Sequence, residues 1–205
     1  MNNVIEFIQH GGVMMYPLVL SSVVLIAIII ERSIVLRKST ADPEELLDEV
    51  RELFKPGGDP SAAIAAVEKE GAIGRIFARG LRNAAKPADA IEMAIEQEAA
   101  FEAGPLEANL PIVKTIVNIA PLLGLLGTIA GMIASFQAAS RTGLSNPTEI
   151  LGGISEALIS TATGITLAVV GFISYNYFAN VVKRVFQDVE LYGAELVNYI
   201  TGRLD

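Results

Sequence analysis

One carboxylic acid, Glu156, stands inside an otherwise uncharged stretch of 33 residues, Ile150 to Val182. An ionised acid deep in a hydrocarbon layer costs ~2.5–3.5 kcal/mol on insertion scales, so it needs a partner, a water-filled cavity or a proton. Ser160 and Thr163 follow at i+4 and i+7, on the same helical face. Thr161 and Thr166 add further hydroxyls. A hydroxyl both donates and accepts, so such a set can order water beside a carboxyl that exchanges a proton. Thr128 lies at the middle of a second uncharged run, Thr115 to Ser140. It is 13 residues from Arg141, and Thr161 is 12 residues from Glu149, which sets both hydroxyls roughly 18–20 Å in from one boundary. The pattern predicts a polar lining on two adjacent antiparallel helices, with Glu156, Thr128 and Thr161 at its centre and Ser160 and Thr163 extending it. The competing reading is structural: a neutral glutamic acid bonded between helices, and threonines bonded to their own backbone carbonyls.

Elements that could hold such a lining are apparent in the composition. Of 205 residues, 52% are hydrophobic and 19% charged, with a mean hydropathy of +0.48. A soluble domain carries about 25% charged residues, so the balance points to a membrane. The absence of cysteine excludes disulfides, thiolate metal sites and a cysteine nucleophile. A single histidine, His10, speaks against a histidine metal cluster and a Ser-His-Asp triad. No metal, cofactor or enzymatic activity is therefore expected. A net charge of -8 argues against nucleic acid as a partner, because phosphate binding needs a basic face.

Val13 to Ile30 is a third uncharged run, and it continues past Glu31 and Arg32 to Leu36. About 20 residues cross a ~30 Å hydrocarbon layer, so all three runs are long enough. The first twelve residues hold no Lys or Arg, which favours a retained span over a cleaved signal. Three spans place the N-terminus and the 141–149 loop on one side, with Arg141 as their one basic residue. The other fourteen Lys and Arg fall on the opposite side, so the N-terminus is expected outside and the tail in the cytoplasm. The expected organisation is an outer arm and first span (1–36), a cytoplasmic helical loop (37–109), a second span (110–140), an outer loop (141–149), a third span (150–182) and a helical tail (183–205). No strand alternation appears, and the chain reads as all-α.

Asp42-Pro43 is a helix start whose apolar face is Leu46, Leu47, Val50, Leu53 and Phe54. Asp59-Pro60 predicts a second helix through Glu70, and a third runs from about Pro87 toward the second span. The tail carries Val185, Phe186, Val189, Leu196, Val197 and Ile200 at helical spacing. Unbroken from Ile150, that helix would reach roughly 75 Å, well beyond a bilayer. Gly124, Gly127, Gly131, Gly164 and Gly171 have the small-residue spacing that lets membrane helices approach closely. Pro121 removes one backbone hydrogen bond from the second span, a position where a kink is expected.

Two segments carry a resemblance: Ala120-Pro121-Leu122-Leu123-Gly124-Leu125-Leu126-Gly127-Thr128, and Gly153-Ile154-Ser155-Glu156-Ala157-Leu158 with Thr161 and Gly164. In these the chain resembles the ExbB/TolQ/MotA proton-channel family, and within it the three-span ExbB/TolQ branch. The resemblance implies a homopentamer in the bacterial inner membrane, with two copies of an ExbD- or TolR-like single-span protein in its central pore. It implies that those partners supply an intramembrane aspartate, which no span of this chain has. It also implies that proton flow drives force on a TonB- or TolA-like protein across the periplasm. By match to the motif, Glu156, Thr128 and Thr161 would line the proton pathway, with lipid around the outside. ExbB and TolQ roles both stay open, and the rival reading is a non-conducting membrane scaffold.

Overall fold

The computed structural model describes residues 11–39, 41–142 and 147–203. The first ten residues of the expected outer arm, His10 among them, lie outside the described residues, as do positions 143–146 of the outer loop. Among the described residues the chain forms seven helices and no strand. They are α1 (Met15–Ser39), α2 (Pro43–Leu53), α3 (Ser61–Val67), α4 (Gly71–Arg82), α5 (Ala88–Glu107), α6 (Leu110–Thr142) and α7 (Pro147–Ile200). Three of them, α1, α6 and α7, are long and apolar enough to cross a membrane.

Charges end the uncharged runs but not the helices. α1 passes Glu31 and Arg32 and closes with Arg37 and Lys38 in its last turn, where cations meet the negative end of the helix dipole. α7 opens on Pro147 with Glu149 in its first turn and continues for 54 residues, so third span and tail are one helix.

The chain divides into two compact units. The first comprises Met1–Ile30 and Asn109–Asn176. Its core joins Met15, Leu18, Leu25 and Ile28 of α1 to Val113, Ile116 and Ala120 of α6 and Leu167 of α7. The second comprises Glu31–Ala108 and Tyr177–Asp205. Here Asp42 accepts a hydrogen bond from the Glu44 N–H (3.0 Å) and starts α2 as expected. Leu46, Leu47, Val50 and Phe54 are buried. Leu53, expected beside them, is 44% exposed instead. The backbone turns extended at Phe54, and its ring takes the core position, edge-on to Tyr199.

α3 stops at Val67 rather than Glu70. Asp59 accepts from the Ser61 hydroxyl (2.6 Å) and N–H (3.1 Å), which holds its carboxyl below the usual range. α4 has no counterpart among the expected helices, yet Ile73, Ile76, Phe77 and Leu81 make it the most buried element of this unit. Three glycines lower its intrinsic propensity, and packing against α3 and α5 overrides that. Toward α5, Arg75 forms a two-pronged hydrogen bond to the buried Glu102 (2.6 and 2.7 Å), which raises the guanidinium above its ordinary value. Arg32, itself buried, donates to the carbonyls of Pro105 (2.9 Å) and Leu106 (3.4 Å) at the end of α5 and pairs with Glu31. Asn109, at φ 62°, stands between the end of α5 and the start of α6.

Candidate functional site

The seam between α6 and α7 is built where side chains are smallest. A Cβ on Gly124 would stand 3.0 Å from the Thr161 Cα, and one on Gly131 2.5 Å from the Gly153 carbonyl oxygen. One on Gly164 would stand 3.1 Å from the Gly124 Cα, and one on Gly127 2.6 Å from the Ser160 Cβ. A Cβ on Gly171 would stand 2.8 Å from Val117 Cγ2 and 3.4 Å from Leu25 Cδ2 of α1. Backbone therefore approaches backbone along about three turns, and the hydroxyls of the seam lie within reach of carbonyls on the facing helix.

Gly124 O is the focus. Thr161 donates to it at 3.0 Å, and the Thr128 and Ser160 hydroxyls stand at 3.3 and 3.4 Å. Thr128 and Thr161 also share a hydrogen bond with each other, and either can be its donor. Each hydroxyl has one proton, so the pair has alternative arrangements: one proton bonds the neighbouring hydroxyl while the other bonds the carbonyl. The matched depth read from the sequence is thus a direct contact across the seam.

Ser160 and Thr163 are placed differently from the Thr128–Thr161 pair. Ser160 is fully buried in the seam, bonded to the Ala157 carbonyl (3.2 Å), rather than facing an open lining. Thr163 bonds back to Ile159 O at 2.8 Å within its own helix, and Thr166 does the same with Ala162 O. Ser135 was not among the expected residues. It is buried, and it bridges Gly131 O (3.0 Å) on its own helix to Ile150 O (2.9 Å) on α7. Its signal was its position seven residues after Thr128, on the same face.

Thr128 opens onto a groove of about 470 Å³ between the C-terminal half of α6 and the N-terminal part of α7, walled by Met132, Phe136, Ile154 and Leu158. Glu156 is not part of that groove. Its half-buried carboxyl lies against Gly12, just before α1 begins, and no hydrogen bond joins it to either threonine. The helix end that a carboxylate meets there carries positive partial charge. The site thus has two parts, a hydroxyl pair closed on a carbonyl and a carboxyl seated beside the start of α1.

A family profile described as the MotA/TolQ/ExbB proton channel family matches residues 68–191. The chain is 32% identical, over 86% of its length and 85% of the relative's, to the putative biopolymer transport protein ExbB-like 3 of Synechocystis sp.. It is 25% identical to the biopolymer transport protein ExbB of Xanthomonas campestris, over 71% of this chain and 59% of that one. It is 30% identical to the Tol-Pal system protein TolQ of Pseudomonas aeruginosa, over 69% of this chain and 54% of that one. Together with the three apolar helices, these likenesses make it an inner-membrane protein with a channel role in energy-coupled transport. The match spans α4 to the tail of α7, the Thr128–Thr161 pair and Glu156 included, and the chain belongs to the MotA/TolQ/ExbB proton channel family.

Proposed function

We propose that this chain is the proton-conducting subunit of an inner-membrane motor. Five copies would surround two copies of an ExbD- or TolR-like single-span protein, and the work would pass to a TonB- or TolA-like protein across the periplasm. The N-terminus faces the periplasm and the tail the cytoplasm, an orientation supported by fourteen of fifteen basic residues falling on the inner side. In this reading Glu156 takes and releases the proton, and Thr128 and Thr161 relay it or order the water that does. The carrying observation is Glu156 itself: one acid within the apolar part of α7, the helix that also contributes Thr161 to a hydroxyl pair that can exchange donor and acceptor.

The energetics are of the right size. A charge crossing the membrane gains about 2.3 kcal/mol per 100 mV. That is close to the ~2.5–3.5 kcal/mol cost of ionising an acid in the hydrocarbon layer. The driving force of the gradient is thus comparable with the cost of holding one charge in the layer.

The test is Glu156→Gln beside Glu156→Asp. Gln keeps volume and hydrogen bonding but cannot ionise. We expect the Gln variant to copurify with its single-span partner and to lose proton flux in proteoliposomes, with the Asp variant retaining part. Full flux in the Gln variant overturns the reading and leaves the non-conducting scaffold.

A further inference from the structure

We propose that Gly12 is a positioning residue for Glu156: the bare backbone before α1 is the seat on which the carboxyl rests. This deepens the reading in which Glu156 exchanges a proton, and it rests on that reading. Gly12 has φ +72°, the left-handed region that glycine enters without a Cβ penalty. A Cβ there would overlap the Glu156 carboxyl and stand 2.7 Å from its Cγ. Each of the three nearest atoms belongs to Glu156, so the space glycine leaves empty is the space the acid fills.

The seat is held on both sides. A Cβ on the preceding Gly11 would stand 2.8 Å from the Met15 sulfur and 3.2 Å from Ile159 Cγ2 of α7. Met14, two residues after Gly12, lies 3.4 Å from where a Cβ on Gly127 of α6 would stand. The strand of backbone over Glu156 is thereby packed against all three apolar helices of its unit and has little room to shift. What yields on substitution is the far end of a flexible glutamate, not the backbone. Gly12→Ala should therefore displace the carboxyl while leaving the helices in place.

The left-handed backbone complicates an alanine there, and the chain contains its own control. Gly57 has φ +81° with nothing within 4 Å, so Gly57→Ala carries the conformational penalty without a neighbour to push. A second probe relieves part of the overlap. Glu156→Asp withdraws the carboxyl by one methylene, so Gly12→Ala combined with Glu156→Asp loses the outermost and most deeply overlapping atom and displaces the carboxyl less than Gly12→Ala alone.

The experiment uses the full chain with its copurifying partner and two readouts. One is proton flux in proteoliposomes. The other is the rate at which a hydrophobic carbodiimide labels Glu156, read by mass spectrometry and independent of activity. Gly12→Ala is expected to raise labelling by lifting the carboxyl off its seat, and to cut flux on the order of tenfold, since small displacements of a reacting group are costly. Gly57→Ala should change neither. Gly12→Ala with Glu156→Asp should conduct better than Gly12→Ala alone. Unchanged labelling in Gly12→Ala overturns the proposal, as does a double variant no better than Gly12→Ala. Full flux in Glu156→Gln instead overturns the proton-exchange reading, and a labelling change in Gly12→Ala would then still establish the seat.

Discussion

Three hydroxyls converge on the Gly124 carbonyl, but they do not depend on it equally. Thr161 makes the shortest of these contacts and also bonds Thr128. Thr128 has the Ala157 carbonyl within 3.4 Å as well. Valine in place of either threonine keeps the branched shape and removes the proton. Because two hydroxyls remain beside Gly124 O, each single substitution should cost stability by no more than about 1.5 kcal/mol, the net worth of one hydrogen bond. Flux should fall in both, and further in Thr161→Val, which loses the shorter bond to Gly124 O along with the bond to Thr128. Proteoliposome flux and thermal melting in detergent read the two effects separately. If the double Thr128→Val, Thr161→Val chain conducts like the native one, the pair is packing alone.

Between α6 and α7 the same substitution should have very different costs depending on what it meets. A Cβ on Gly164 faces backbone, Gly124 N at 3.2 Å and its Cα at 3.1 Å, so the helices must part. On Gly127 it faces the Ser160 side chain, while on Gly152 it faces nothing within 4 Å. Overpacking a close contact typically costs roughly 1–3 kcal/mol. Melting temperatures should thus fall most for Gly164→Ala, less for Gly127→Ala and not at all for Gly152→Ala. Adding Ser160→Gly to Gly127→Ala should recover part of the loss, because the swap returns the missing space to the other helix. A flat series would mean that the seam is loose enough to absorb a methyl anywhere.

For the whole molecule, the contacts made by the small residues matter to assembly. Gly124, Gly127, Gly131 and Gly164 are all engaged inside one chain, so they are not free to pack one copy on another. The surface left over is apolar: Leu122, Leu125, Leu126 and Ile129 on α6, and Leu158, Ile165 and Val169 on α7 are exposed, with Phe136 and Phe172 beside them. Lipid tails are as apolar as leucine, so such a surface gains from neighbours mainly through complementary shape. A closed cyclic ring satisfies that requirement for every copy at once. Native mass spectrometry in detergent should find one dominant assembly, of five copies. A clean monomer at micromolar concentration would count decisively against the ring.

Some of this was legible along the chain. Uncharged runs located the three long helices, because transfer from water to hydrocarbon depends on composition and length and hardly on neighbours. Asp42 and Asp59 marked helix starts, since a cap is a contact over two residues. The matched depths of Thr128 and Thr161 could be counted, since helical rise is constant. What the line of residues did not contain was direction around the helices. Ser160 shares a face with Glu156 by spacing, yet the close approach at Gly127 buries its hydroxyl in the seam. Glu156 was legible as an anomaly but not as the neighbour of Gly12, which is 144 residues away. α4 was hidden because its glycines oppose a helix locally while the helices around it favour one. Composition and rise determine which segments cross and how deep each group lies. Which groups touch is decided by tertiary packing, because a contact depends on the rotation and approach of two helices, and neither is a property of one helix alone.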